Sequence, residues 1–383
     1  MTRRSLLETG LAAAVLPPAV PVIRRVDVFP RPYAVTGHFK FLKNGERPSV
    51  LVKVTCEDGT VGWGQSVPMP TWSYETPESA VSALRDYLGP ALIGKSPLDL
   101  AGAHALMDRA IAPSFSVGMP IAKAGLDLAL HDITGKLAGK PLAALWSRKP
   151  LARIPLSWTV NTTSLDEAAA LVEEGRRRGY RHFNIKVSPD PRFDVELAKT
   201  VRKLAPSTFL WADANGGYDP ATALEVAPRL ADAGVNVFEQ PVAANRLTAF
   251  RDLKKQGALP IIMDEGVVSS VELVEFMRLG LLDGVAMKPA RTAGLWDARR
   301  QLEILRDAGL MFLGSGITDP DVSLAASLHL FAAYGLEHPA ALNGLQFLTG
   351  SSLEHPFRLE DGALAVPQGP GLGVVVDERS LRG

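Results

Sequence analysis

Five charged residues at nearly constant spacing are the strongest chemical feature of this sequence. They are Lys186, Asp213, Glu239, Asp264 and Lys288, separated by 27, 26, 25 and 24 residues. Each one closes a short apolar run: HFNIK, TFLWAD, VNVFE, PIIMD and DGVAMK. Three carboxylates brought together repel one another unless a hard cation neutralises them. The pattern therefore predicts a Mg²⁺ site with a lysine on either side.

Such a site can remove the proton next to a carboxylate group of a small molecule. The cation would neutralise the resulting enediolate, and the absence of histidine and cysteine from the set argues against zinc. A free lysine titrates near about 10.4, so Lys186 and Lys288 need lower pKa values to act as bases. Burial and the neighbouring cation are expected to provide that shift.

The segments between these residues predict the elements that position them. Stretches such as PATALEVAPRLADAG have helical periodicity, so apolar strands alternate with helices. In a parallel β/α barrel the carboxyl ends of the strands share one face, which is where active sites lie. The first strand is expected near Arg153 and the eighth around Ala340 to Asn343. Residues 151–348 are therefore predicted to form the barrel.

Strand-like runs precede helical patterns in the N-terminal part, which predicts a small α+β capping domain over residues 21–150. The Gly/Pro-rich tail, residues 349–383, is expected to return to this domain. Two loops of the domain carry Tyr33, His38, Trp72 and Tyr74, which are candidates for a lid over the barrel site. The alternative is that these side chains lie on solvated hairpin tips.

Composition excludes several other functions. Forty-one basic and 41 acidic residues give a net charge of zero, unlike a nucleic-acid-binding protein. The single cysteine, Cys56, excludes an internal disulfide and is expected to be a small buried residue. No segment of the sequence is long and apolar enough to span a bilayer.

The N-terminus, residues 1–20, resembles a twin-arginine export signal. Arg3 and Arg4 precede the short apolar run GLAAAVLPPAV. This resemblance predicts export to the periplasm. The alternative is an ordinary basic N-terminus on a cytoplasmic protein.

The motifs around the charged residues resemble those of the enolase superfamily, in the muconate lactonizing enzyme subgroup that also contains dipeptide epimerases and N-succinylamino acid racemases. The matching segments are PIAKAGLDLALHDITGK, WADANGGY, FEQP, MDEG, VAMKPARTAG and GPGLG. The resemblance implies a modified TIM barrel, (β/α)₇β, with an α+β capping domain. It also implies one Mg²⁺ per subunit (Mn²⁺ as an alternative) and a homo-oligomer. The family's metal ligands correspond to Asp213, Glu239 and Asp264, and its acid/base lysines to Lys186 and Lys288.

The resemblance assigns further positions near the substrate. Asn215 and Glu265 match polar residues beside the metal ligands, and Asp319 matches a position where relatives carry a glutamate. Asp319 could instead cap the next helix, although Asp321 is better placed for that role. The sequence departs from the family at Asn184, which replaces the first lysine of a Lys-x-Lys pair and offers hydrogen bonds without a charge.

Three functions follow from these residues. The first is a racemase or epimerase of amino-acid derivatives or short peptides, with the two lysines acting on opposite faces of the α-carbon. The second shares the enediolate but ends as a cycloisomerase or syn-dehydratase of a small carboxylic acid. The third is a metal-dependent binding protein without catalysis, which the loss of the lysine at position 184 favours and the retention of two other lysines opposes.

Overall fold

The structure is a computed structural model that describes residues 21–37, 41–42, 45–114 and 116–381. The predicted export signal and the lid candidate His38 lie outside the described residues. Within those ranges, no helix has the length and apolar character needed to cross a membrane.

Strands and helices alternate through most of the chain. The strands are β1 (Ile23–Pro30), β2 (Tyr33–Val35), β3 (Glu46–Arg47), β4 (Val50–Cys56), β5 (Val61–Ser66), β6 (Arg153–Pro155), β7 (Ser157–Val160), β8 (His182–Lys186), β9 (Trp211–Asp213), β10 (Val237–Glu239), β11 (Ile261–Met263), β12 (Gly284–Met287), β13 (Met311–Gly314), β14 (Leu348–Thr349) and β15 (Ala363–Ala365). The α-helices are α1 (Pro77–Ser82), α2 (Gly89–Leu92), α3 (Leu100–Ala110), α4 (Pro120–Leu137), α5 (Leu142–Trp146), α6 (Leu165–Arg177), α7 (Pro191–Leu204), α8 (Pro220–Asp232), α9 (Leu247–Gln256), α10 (Ser270–Arg278), α11 (Leu295–Asp307), α12 (Asp321–Ala333) and α13 (Gly344–Phe347). A π-helical turn, Ala83–Leu88, joins α1 to α2, and a 3₁₀ turn, Glu378–Leu381, lies near the C-terminus.

The barrel predicted from the sequence is confirmed. Strands β7 to β13 form one parallel sheet in chain order. The eighth position is occupied by Ala340 and Ala341, which make isolated parallel bridges to Leu156 and Ser315. The amide of Ser157 donates to Ala340 O at 2.9 Å and that of Ala341 donates to Gly314 O at 2.8 Å, so the two edges of the sheet are joined.

Helix starts place the loops at the carboxyl end of the barrel. Asp190 accepts hydrogen bonds from the amides of Arg192 and Phe193 at the start of α7, and Asp219 does the same at the start of α8. A proline occupies the first turn of both helices, where its missing amide proton costs nothing. These caps fix the start of each helix a few residues after the preceding strand, β8 before α7 and β9 before α8.

The capping domain contains the antiparallel sheet β1-β4-β5, in which β4 and β5 form a hairpin. Helix α4 lies so close to this sheet that a Cβ on Gly64 would be 1.8 Å from Gly125 O. Only glycine allows such an approach. Cys56 is fully buried in this sheet, as expected for a small apolar residue.

The C-terminal tail returns to the capping domain, as predicted. The amide of Leu372 donates to Asp132 Oδ1 of α4 at 2.9 Å, and the amide of Leu142 donates to Gly371 O at 3.0 Å. His329 of the barrel helix α12 lies in the same junction, because its Nδ1 accepts from the amide of Ala143 and its Nε2 lies 3.1 Å from Leu372 O. This histidine therefore links three parts of the chain.

Acidification is expected to destabilise the protein through His329. Burial lowers the pKa of His329 to about 4, below its ordinary value of about 6.5. The unfolded chain therefore takes up the proton first, and stability falls as the pH drops from about 6.5 towards 4. Between pH 7.5 and pH 5 the loss should be about 2 kcal/mol, measured by denaturant unfolding.

The variant His329→Gln should lose most of this pH dependence. The exposed His355 provides the control, because His355→Gln should leave the slope of stability against pH unchanged. Equal slopes for wild type and His329→Gln would contradict the assignment.

Candidate active site

The five charged residues of the sequence pattern lie at one face of the barrel. Lys186, Asp213 and Glu239 are the last residues of β8, β9 and β10, and Asp264 and Lys288 directly follow β11 and β12. The parallel register pairs Lys186 with Asp213 and Asp213 with Glu239 across adjacent strands. Four of the five, all except Asp264, line a small cavity of about 30 Å³, which has room for about one water molecule.

Lysines and an arginine hold two of the three carboxylates. Lys186 Nζ donates to Asp213 Oδ2, and Lys288 Nζ donates to Asp264 Oδ2. Arg291 Nη1 donates to the second oxygen of Asp264. Among the described residues, no three histidine, cysteine or acidic side chains are close enough together to hold a metal ion in this arrangement.

Glu239 differs from the two aspartates. Both of its carboxylate oxygens are buried, and neither has a hydrogen-bond partner among the described residues. Burial raises the pKa of Glu239 well above its ordinary value, and the neighbouring Asp213 and Asp264 raise it further. A buried, unpartnered carboxylate between two others fits a divalent cation, because the cation would supply the missing partner. Asp213 and Asp264 would have to exchange their lysine partners for the cation.

The pKa of Lys288 is shifted in the direction opposite to the one expected from the sequence. Burial lowers the pKa of Lys288, but Asp264, Glu239 and Glu265 favour the protonated form more strongly, and the net shift is upward. The expected decrease in pKa was based on burial and on the cation. It did not include the attraction between the lysine and these carboxylates, which raises the pKa. A divalent cation among them would oppose that attraction.

A second group of polar side chains surrounds the ring. Trp72 Nε1 donates to Glu265 Oε1 at 2.8 Å, and Asn215 Nδ2 donates to the same oxygen at 3.2 Å. The ring of Trp72 lies over Lys288, with Nζ 4.7 Å from the ring centroid. The structure therefore brings three of the sequence-predicted residues, Trp72, Asn215 and Glu265, to the site. Burial raises the pKa of Glu265 to about 7, with a further contribution from Asp264.

Two lid candidates do not reach the cavity. Tyr33 is in β2, and its buried hydroxyl donates to Asp321 Oδ2 at 2.6 Å behind the site. Tyr74 is 66% exposed and does not line the cavity, and its hydroxyl donates to Val117 O at 3.4 Å. Trp72, two residues earlier in the same loop, is the one that covers the lysine.

Neither aspartate at the start of α12 caps the helix. Pro320 occupies the cap position, and Asp321 instead accepts hydrogen bonds from Tyr33, Ser351 and the amide of Ser352. Asp319 is almost fully buried and accepts from the amide of Ile317 at 3.2 Å. Burial raises the pKa of Asp319, and the attraction of Arg47 and Lys288 opposes the shift.

Replacing Tyr33 with phenylalanine should destabilise the fold without changing substrate affinity. The variant leaves the buried Asp321 without one donor, which should cost about 1–3 kcal/mol of unfolding free energy. Denaturant unfolding measures the loss, and the exposed Tyr74→Phe should stay within about 0.5 kcal/mol of wild type. A large rise in KM for Tyr33→Phe would show that Tyr33 contacts the substrate after all.

Several site residues were missed by the sequence analysis. Arg291 holds Asp264, and Gln240 Oε1 accepts from the amide of Asp264 at 2.8 Å. Both lie inside quoted motifs, VAMKPAR and FEQP, so their positions beside Lys288 and Glu239 were the available signal. Phe41 and Met69 of the capping domain also line the cavity, and their places in the same two loops as the lid candidates were the available signal.

Comparison with known proteins agrees with this geometry. Residues 25–146 match the mandelate racemase / muconate lactonizing enzyme N-terminal domain, and residues 166–380 match the enolase C-terminal domain-like family. The chloromuconate cycloisomerase CbnB of Cupriavidus necator is 32% identical over 342 residues, covering 87% of this chain and 90% of that protein. Muconate cycloisomerase 1 of Rhodococcus opacus is 29% identical over 347 residues, covering 88% of this chain and 90% of that protein.

Solved structures show the same relationship. The 2-chloromuconate cycloisomerase from Rhodococcus opacus 1CP superposes with a TM-score of 0.86 at 27% identity, covering 94% of this chain and 98% of that one. The muconate lactonizing enzyme from Pseudomonas putida gives 0.85 at 26% identity with the same coverage. Together with the family matches, these similarities show that the chain belongs to the enolase superfamily, in its muconate lactonizing enzyme-like subgroup.

Proposed function

We propose that this protein is a Mg²⁺-dependent cycloisomerase that lactonises an unsaturated dicarboxylate of the muconate type. The observation that carries the proposal is the ring of three carboxylates and two lysines in a chain whose relatives are named cycloisomerases. The relatives thus favour the activity that the sequence analysis placed second, ahead of racemisation or epimerisation. Members of this family generally use a divalent cation, typically Mg²⁺.

The proposed reaction forms one C–O bond and one C–H bond. A carboxylate oxygen of the substrate adds to the distant carbon–carbon double bond, and the electrons move towards the other carboxylate as an enediolate. A proton then joins the carbon next to that carboxylate, which gives a lactone with one remaining carboxylate. The dianion therefore takes up one proton in each turnover. A divalent cation on Asp213, Glu239 and Asp264 would supply charge neutralisation for the enediolate.

Lys186 is the better candidate for the proton donor. The donor has to be recharged from solvent in every turnover, so it needs contact with water. The side chain of Lys186 is 12% exposed, whereas that of Lys288 is 5% exposed and lies beneath Trp72. Lys288 is then a fixed cation beside the enediolate, which stabilises developing negative charge.

Asn184 is compatible with this chemistry. It is 2% exposed, and its side-chain oxygen has no hydrogen-bond partner among the described residues. A neutral amide at this position can orient a substrate but adds no positive charge beside Lys186. Lactonisation delivers a proton to only one face of a carbon, so a single proton donor is sufficient. Racemisation needs two matched bases, one on each face.

A racemase or epimerase is the second candidate, because Lys186 and Lys288 lie at the ends of the two strands that flank the three carboxylate strands. Incubation with Mg²⁺ and a panel of dienoic diacids, N-acyl amino acids and dipeptides would separate the two. Conversion of a diacid to a lactone, monitored as the loss of diene absorbance, would support the proposal. Inversion of an amino-acid derivative with no lactone from any diacid would overturn it in favour of the second candidate.

A further inference from the structure

Buried charged side chains hold both ends of the loop that carries Trp72. At the start of the loop, Arg47 of β3 donates to Val67 O at 2.8 Å and to Pro68 O at 2.7 Å. At its end, Glu75 is fully buried, and its carboxylate accepts hydrogen bonds from two amides of α4. The loop from Val67 to Glu75 therefore has two fixed ends, with Trp72 between them.

Glu75 completes the start of helix α4. Its Oε1 accepts from the amide of Ile121 at 2.7 Å, and its Oε2 accepts from the amide of Ala122 at 2.8 Å. Both amides belong to the first turn of the helix, where they have no partner within the helix, and Met119 at the cap position provides no side-chain acceptor. A carboxylate suits this position, because the helix dipole favours negative charge there.

The ionised form of Glu75 is the one that matches both amides. Each oxygen of a carboxylate accepts a hydrogen bond, whereas a glutamine would place an N–H donor against one of the two amides. Burial raises the pKa of Glu75 to about 7, while the two amide hydrogen bonds and the attraction of Lys123 oppose the shift. Lys123 is itself paired with Asp108 at 2.7 Å. At pH 8 the side chain of Glu75 is therefore mostly a carboxylate.

The anchored end of the loop is close to the ring that covers the lysine of the site. Trp72 lies three residues before Glu75, and its amide donates to Met69 O at 2.9 Å in a tight turn. Its ring centroid lies 4.7 Å from Lys288 Nζ. A displacement at Glu75 would therefore be passed to Trp72 through a short, hydrogen-bonded segment.

Side-chain packing connects the same parts of the molecule. Ile121, whose amide is bound by Glu75, belongs to a buried apolar cluster that also contains Ala290, and Trp72 packs against this cluster. Ala290 lies two residues after Lys288. The start of α4, the ring of Trp72 and the segment after β12 are thus packed together.

We infer that Glu75 is a positioning residue of the active site: its carboxylate anchors the loop to α4 and thereby keeps the Trp72 ring over Lys288. Glu75 does not line the cavity, so its effect on the site passes through Trp72. The consequence for turnover rests on the proposed function, in which Lys288 stabilises the enediolate. The placement of Trp72 does not depend on which reaction the protein catalyses.

The placement of Trp72 can be measured without a substrate. The full chain is labelled with 5-fluorotryptophan, and the Trp72 signal among the six tryptophans is identified by its loss in Trp72→Leu. At pH 8, the difference in its fluorine shift between H₂O and D₂O reports exposure of the ring to water. Glu75→Gln should increase this difference at Trp72 and leave the other signals unchanged. An unchanged Trp72 signal would overturn the inference.

Two further variants make the fluorine result specific. Glu78→Gln changes an exposed glutamate of α1, three residues after Glu75, and should alter none of the signals. Glu75→Asp keeps the charge on a side chain one methylene shorter, so it should move the Trp72 signal in the same direction as Glu75→Gln. Denaturant unfolding shows which variants are folded. If Glu75→Gln does not fold, a folded Glu75→Asp with an unchanged Trp72 signal would overturn the inference.

A double-mutant cycle tests whether Glu75 acts through Trp72. Glu75→Gln and Trp72→Leu should each lower kcat on a dienoic diacid by about tenfold, because water then reaches Lys288 and weakens its stabilisation of developing charge. The double variant should match Trp72→Leu within about twofold, since the ring that Glu75 positions is already gone. Losses that multiply would overturn the inference. If no diacid is turned over, the proposed function fails, and the fluorine experiment alone decides the role of Glu75.

Discussion

Replacing Glu239 with glutamine is expected to abolish Mg²⁺-dependent activity and to stabilise the cation-free protein at the same time. The wild-type carboxylate is buried without a hydrogen-bond partner in the part of the chain that the structure describes, and its pKa is raised by burial and by Asp213 and Asp264. A raised carboxyl pKa means that ionisation costs stability at pH 7, and that this cost disappears only on acidification. Glutamine cannot ionise, so the cation-free variant should gain about 1–3 kcal/mol at pH 7.

Denaturant unfolding with EDTA and with Mg²⁺ measures both effects. Mg²⁺ should stabilise wild type, since it binds the native state, and should leave Glu239→Gln unchanged. Activity should fall by more than about 100-fold, because a ligand and not merely its support is lost. The control is Glu225→Gln, an exposed glutamate on α8 whose side chain is 68% accessible. If Glu239→Gln is still stabilised by Mg²⁺, Glu239 is not a ligand of the metal.

Replacing Lys186 with methionine is expected to lower kcat by about 10²–10⁴-fold, the usual contribution of a positioned acid or base. Methionine keeps much of the length and apolar character of the side chain but carries no proton. KM should change less, because the proton is transferred after the substrate is bound. Steady-state kinetics on a diacid substrate provide the measurement.

Two further variants make this result specific. Lys199→Met changes an exposed lysine of α7, 55% accessible, and should behave like wild type. Lys288→Met should slow turnover but still deliver the proton to the same face of the substrate. Lys186→Met could instead keep its activity within about tenfold of wild type while Lys288→Met loses facial selectivity. That result would show that Lys288, and not Lys186, is the proton donor.

Much of the barrel and its ring of charges could be predicted because both follow from local regularity. A strand–helix unit of nearly constant length repeats along the chain, and the carboxyl ends of parallel strands share a face. Lys186, Asp213 and Glu239 therefore had to lie side by side. The position of the eighth strand could be predicted, but its length could not. Two isolated bridges, at Ala340 and Ala341, are enough to close the barrel.

Features that depend on distant partners could not be predicted from the sequence. Trp72 and Glu265 are separated by 193 residues, and only the packing of the capping domain on the barrel brings them together. The same packing turns Tyr33 towards Asp321 instead of the cavity. The direction of the pKa shift at Lys288 depends on whether burial or nearby carboxylates dominate, which requires their distances.

The most direct test of the proposed chemistry is lactonisation of muconate or a substituted muconate in D₂O with Mg²⁺, followed by proton NMR. We expect a lactone with one deuterium, in a single configuration, on the carbon next to the remaining carboxylate. That result would show proton delivery to one face by one positioned acid. Deuterium on both faces of that carbon, or exchange into an N-acyl amino acid or dipeptide with inversion and no lactone formed, would contradict it.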